Sequence, residues 1–192
     1  MARLSSEERR KEILDVVLKI IHEEGFYNLS IRNIAEKINI SEAAIYRHFK
    51  NKKAIIDKLS DLIFQTPFWK KENTEGNLFD LLQIIMERQF SFLEENPYLT
   101  AIIFQEEIFR EYTDIGEKIK ECRKDKENTV LKIIEKGQER GEFKDDVNPL
   151  IFARLYMGAI RVSIINWRAN NFSFSLDGEA EEICKELFKI LK

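Results

Sequence analysis

The chain has 192 residues, 44% of them hydrophobic and 34% charged, with a formal net charge of −3. No uninterrupted apolar run approaches the roughly 18 residues of a membrane helix, and MARLSSEERR lacks the apolar core of a secretion signal, so a cytoplasmic protein with no membrane partner is expected. Seven glycines and three prolines leave little material for hairpins or long linkers, which points to an all-α fold.

The charge is unevenly placed. Residues 1–60 hold 12 lysines and arginines against 9 acids, whereas residues 61–192 hold 19 against 25. A positive field concentrated at one end is what a partner bearing phosphates requires, even when the whole chain is acidic.

In chain order, Ser5-x-x-Glu8 has capping-box spacing. Ile13, Val17, Ile20 and Ile21 then mark one face of a helix that closes at Gly25, with Phe26 and Leu29 anchoring the loop. Ser30 caps a helix burying Ile31, Ile34, Ala35 and Ile38; Asn39-Ile40 makes a turn, and Ser41 caps the next helix, which buries Ile45 and Phe49. On another face of that helix, Ala43, Tyr46, Arg47 and Lys50 follow helical spacing.

This face suits a DNA major groove. Ala43 and Ala44 allow close approach and contact with a thymine methyl, Arg47 reaches a guanine edge or a phosphate, and Tyr46 and His48 offer hydrogen bonds to phosphate. Ser30 and Ser41 place hydroxyls and amide groups at helix starts, where anions bind, and Lys52 after the Asn51 cap would clamp one more phosphate. Arg32 and Glu42, in the first turns of the same two helices, complete the candidate DNA-contacting set.

The segment SIRNIAEKINISEAAIYRHFKNKKAI resembles the DNA-binding segment of the TetR family of transcriptional regulators, with the likeness covering residues 8–60. Ala43 departs from it, since the family commonly has glycine there. The resemblance implies an N-terminal three-helix helix-turn-helix DNA-binding domain at residues 1–50 and a connecting helix at 51–69. A helical bundle for ligand binding and dimerisation would follow at 70–192. It further implies a double-stranded DNA operator as partner.

The remaining chain reads as helices throughout. Ile55, Ile56, Leu59, Ile63 and Phe64 lead toward Pro67, a polar linker covers 69–77, and Leu78 to Glu95 forms a long amphipathic helix ended by Asn96-Pro97. Tyr112 to Arg140 carries an apolar stripe at Ile115, Ile119, Cys122, Thr129, Leu131 and Ile134, stops at Gly141, and lets Phe143 fold back. Asn148-Pro149 opens a helix reaching about Asn170 whose apolar residues occupy more than one face, so it must be covered on two sides. A last helix, capped near Asp177, has Ala180, Ile183, Cys184, Leu187 and Ile190 as its seam, and these two helices form the expected homodimer surface.

EKGQERGEFKDDVNPLIFARLYMG resembles a pattern found in many TetR-family members, fatty-acid-responsive ones included. A small apolar or amphipathic effector, such as a fatty acid or acyl derivative, is therefore expected. Candidate lining residues are Phe90, Phe104, Phe109, Tyr112, Met157 and Trp167. Arg154, Arg161 and Arg168 recur every seven residues; Arg161 could neutralise an anionic ligand, or the stripe could face solvent or acids of a second subunit.

Two rival readings remain at this level: a small-molecule-binding or enzymatic bundle whose first helices merely pack, and a regulator controlled by a protein partner. Against enzymes, the histidines His22 and His48 join no nucleophile motif, and there is no phosphate-binding glycine loop, HExxH or CxxC. Cys122 and Cys184 read as free thiols, and no metal or cofactor is expected.

Overall fold

The computed structural model describes residues 5–64, 76–104 and 111–192. Among them lie nine α-helices and no strand: α1 Ser6–Glu24, α2 Ile31–Lys37, α3 Glu42–Tyr46, α4 Lys52–Phe64, α5 Leu78–Glu95, α6 Thr100–Ile103, α7 Thr113–Glu139, α8 Pro149–Ala169 and α9 Asp177–Leu191. Of the linker expected at 69–77 only Gly76 and Asn77 are described, and Phe109 lies outside the described residues.

The chain forms two compact units, Met1–Gln65 with Tyr98–Ile119, and Thr66–Pro97 with Lys120–Lys192. The sequence suggested consecutive domains meeting near residue 70. A later segment groups with the first unit: Leu99, Ala101, Ile102 and Ile115 are buried, and α6 packs on α1.

In the first unit, local chemistry sets each helix end. Ser5 and Glu8 make the full capping box of α1, and Gly25 turns the chain at φ 84°. Ser30 Oγ accepts from Asn33 N at 3.0 Å, Ser41 Oγ from Ala44 N at 3.2 Å, and Asn51 Oδ1 from Ala54 N at 2.9 Å, so α2, α3 and α4 each start on a side-chain cap. Between α2 and α3, Asn39 takes φ 55° and Ile40 N bonds Ala35 O at 3.0 Å, closing the helix in a Schellman turn that an asparagine tolerates. Ile34, Ala35, Ile45 and Phe49 are buried beneath this turn beside Ile13, Val17 and Ile21, which fixes the two short helices as one body.

In the second unit α9 packs along α5. Tyr156 is fully buried and its hydroxyl donates to Leu82 O at 2.6 Å; burial pushes the phenol's pKa well up, so it stays a donor. Tyr156→Phe removes that donor, and stability is expected to fall by about 1 kcal/mol, read as a drop in Tm of about 2–4 °C. Glu142 N bonds Gly137 O at 2.8 Å and Gly141 takes φ 69°, so α7 ends in a Schellman motif. Gly137 is the place where Phe143 folds back, since a Cβ there would overlap the ring.

Several expectations shift in detail. The buried positions of α7 include Val130 and Ile133 rather than Thr129 and Leu131. The α9 cap falls at Leu176, next to the expected Asp177 and without a side-chain cap bond; the Leu176 amide donates to Glu94 Oε1 at 2.6 Å, and Asp177, in the first turn, accepts from Ser91 Oγ at 3.1 Å. The α9 seam turns toward Ala180, Cys184, Phe188 and Leu191, because Phe79 takes Phe188 edge-on at 4.9 Å, and Ile190 is exposed.

Helix α8 buries Phe152, Ala153, Tyr156, Ile160, Ile164 and Trp167, while Ile151, Leu155, Val162 and Ile165 remain 50%, 49%, 56% and 41% exposed. By length and composition it is also the one described helix apolar enough to cross a membrane. No apolar run in it reaches the roughly 18 residues of a membrane helix, as expected. Arg154 and Arg161 interrupt its apolar residues, but the average over the helix stays high.

Candidate nucleic-acid interface

The outer face of the helix-turn-helix is polar and open. Ser41, Glu42, Ala43 and Arg47 are exposed, Tyr46 is 51% exposed, and Ala44 is half-buried. Regular α3 ends at Tyr46, with Arg47 still in helical conformation at φ −69° and ψ −22°. Lys50 therefore lies past the helix in a bend rather than one turn further along it, although it is exposed as expected.

What separates the cations is whether a carboxylate already holds them. Arg32 Nε donates to Glu36 Oε1 at 2.8 Å, an interaction that raises the guanidinium's pKa, and Lys37 Nζ sits 2.7 Å from Glu24 Oε1. Lys52 and Lys53 also face acids. Arg47 and Lys50, by contrast, make no ion pair among the described residues. They are the cations that can neutralise a phosphate or read a guanine edge without first giving up an internal partner.

His48 is half-buried, with Nδ1 3.4 Å from Ser6 Oγ. Burial, and then the charges of Arg10, Arg47 and Arg9, hold its pKa below the usual value. It therefore offers a hydrogen bond and not a charge at neutral pH. The hydroxyl oxygens of Ser30 and Ser41 accept from helix amides, which leaves each O–H free to donate outward.

The residues gathered from sequence as one effector lining are divided between the two units. Phe90 is fully buried, Met157 half-buried and Trp167 buried in the second unit. Trp167 is already engaged, with Nε1 donating to Phe174 O at 2.7 Å and the ring edge-on to Phe172 at 4.6 Å. Phe104 and Tyr112 are half-buried in the first unit, where Tyr112 meets Phe26 edge-on at 6.3 Å. Arg161 is exposed beside Val162 on the open face of α8.

Sequence reasoning did not single out Gln89 of α5, whose Oε1 is buried with no hydrogen-bond partner among the described residues. An open cleft of about 750 Å³ is lined by Gly76, Asn77, Phe79, Arg140 and Glu142, none of them an expected effector residue.

A buried-core turn that presents an aromatic hydroxyl and two cations without an ion pair among the described residues, followed in the chain by a second helical unit, has the form of a helix-turn-helix DNA-binding regulator. The description of bacterial regulatory proteins of the tetR family matches residues 13–59, and that of the YsiA-like protein C-terminal region matches residues 57–190. The chain belongs to the TetR family of bacterial transcriptional regulators, and is a regulator rather than an enzyme.

Among its relatives is the "Fatty acid metabolism regulator protein" of Bacillus subtilis, 25% identical over 170 residues, covering 86% of each chain. The "Uncharacterized HTH-type transcriptional regulator YvkB" of the same organism is 30% identical over 163 residues, covering 77% of this chain and 84% of the relative. The fold is similar to that of the transcriptional regulator FadR from Bacillus subtilis in complex with stearoyl-CoA, at a TM-score of 0.68 and 20% identity, over 95% of this chain and 99% of that one.

Proposed function

We propose that the chain is a dimeric repressor that binds a near-palindromic operator and is released by an amphipathic acyl effector, with a long-chain acyl-CoA as the ligand class. The observation that carries the DNA-binding part is the exposed ridge of Tyr46, Arg47 and Lys50, whose cations no carboxylate holds among the described residues. The dimer rests on the second apolar face of α8, where Ile151, Leu155, Val162 and Ile165 stay about half exposed. Two heads on one two-fold axis would meet half-sites about 34–36 Å apart, one turn of B-DNA.

The effector class is supported by a relative named for fatty acid metabolism and by the stearoyl-CoA complex of a chain with the same fold. Within the second unit, Phe90 and Met157 are the lining residues this reading retains, and the buried Gln89 carbonyl is an acceptor for a ligand N–H or O–H. Arg161, exposed beside Val162, is assigned to the dimer face rather than to the effector. As a regulator of bacterial genes the protein would work in the cytoplasm.

Selection of bound sequences from random duplexes should enrich an inverted repeat, and stearoyl-CoA should then release the selected duplex while free coenzyme A does not. Enrichment of a single half-site would remove the dimeric reading. Release by neither stearoyl-CoA nor stearate would remove the acyl effector. A typical coupling of about 1–3 kcal/mol corresponds to roughly 5–150-fold weaker operator binding.

A further inference from the structure

Lys52 and Lys53 open α4, where the reading above places one phosphate contact, yet each faces an acid from residues 111–114 of the same unit. Lys52 Nζ lies 3.6 Å from Glu111 Oε1 and 4.3 Å from the centre of the Phe26 ring. Lys53 Nζ lies 2.7 Å from Asp114 Oδ2 and 2.9 Å from Asp57 Oδ1. Phe26 is buried and meets Tyr112 edge-on, so the ring under Lys52 and the residue beside Glu111 are fixed to each other. The two ion pairs and the ring contact make one joint between the start of α4 and the start of α7.

We propose that the Glu111 carboxylate stands in for a DNA phosphate at Lys52, so that operator binding must displace it, and that this competition sets the affinity of the head. A lysine ammonium is a compact point charge that binds carboxylate and phosphate oxygens alike, so the two compete for it. The Lys52 side chain is 26% exposed and that of Glu111 45%, which leaves the pair within reach of solvent and of an incoming strand.

Lys53 is the fixed half of the joint. Asp114 and then Asp57 raise its pKa, and Lys53 holds the Asp114 carboxyl below its usual range, so the first turn of α7 stays anchored while Lys52 exchanges partners. Helix α7 carries Asp114 at one end, and its residues 120–139 belong to the second unit.

The inference rests on Lys52 contacting phosphate, and the test separates the two ideas. Binding of the selected operator is measured across a salt series for the full chain, Lys52→Ala, Glu111→Gln and the double variant, with melting curves to show that all are folded. Glu111→Gln is expected to tighten binding about two- to fivefold at low salt, the range of a partly exposed ion pair, and to steepen log K against log salt by about one unit per head. Both effects should vanish in the Lys52→Ala background.

An unchanged or weaker affinity for Glu111→Gln, while Lys52→Ala weakens binding, overturns the competition alone. The same gain in the Lys52→Ala background also overturns it, since that gain would come from the general field. Normal binding by Lys52→Ala overturns the phosphate contact itself, and the proposal with it.

Discussion

Arg47→Ala is expected to weaken operator binding by about 30-fold or more and up to about 25,000-fold, because each guanidinium contact to a guanine edge or phosphate contributes about 1–3 kcal/mol and a two-headed complex would lose two of them. The fold should be untouched: Arg47 is exposed, makes no ion pair among the described residues, and lies after the last regular residue of α3. Fluorescence anisotropy on the selected duplex and on single-base variants reads the result. A loss confined to one base position per half-site assigns Arg47 to a base edge, whereas a uniform loss with a shallower salt slope assigns it to phosphate. Operator affinity equal to that of the unchanged chain would remove the ridge as the contact surface.

Lys50 should behave differently. It lies in the bend after α3 rather than on the helix, a position expected to meet the strand backbone, so Lys50→Ala should weaken all duplexes alike.

Parts of the fold and site governed by neighbours within about one helical turn were readable from the sequence, because caps and turns are local chemistry. Ser5 with Glu8, Ser30, Ser41, Asn51 and Asn148 all cap where their spacing indicates. Near Asp177 the start of α9 falls one residue earlier, at Leu176, where Glu94, 82 residues before it in the chain, takes the Leu176 amide. The α9 seam turns for a similar reason, since Phe188 is drawn to Phe79 on another helix.

The head followed this pattern too. The types and spacing of Tyr46, Arg47 and Lys50 were legible, but which cations are already neutralised was not. Glu24 meets Lys37 from α1, and Glu111 meets Lys52 from beyond α6. Spacing along a helix cannot reveal a carboxylate brought in by tertiary packing. The effector lining suffered most, since an aromatic at helical spacing serves a core and a pocket equally, and Trp167 with Phe172 and Phe174 O proves to be a helix-end clasp.

The exposed face of α8 carries the second large expectation. Val162→Arg should convert the proposed dimer to monomer, because a two-fold interface places every substitution twice and would bring the new cations together beside Arg161 and its symmetry mate. At 56% exposure Val162 contributes little to the packing of its own subunit, so the variant's helix content should match that of the unchanged chain. Light scattering should report half the mass, and the melting temperature should lose its dependence on protein concentration, since dissociation no longer accompanies unfolding. Operator affinity should fall about 100- to 10,000-fold, as the second head no longer binds at the effective concentration set by the first. A Val162→Arg protein that remains dimeric at micromolar concentration would place the interface elsewhere; one that becomes monomeric yet binds the full operator normally would show that a single head carries recognition.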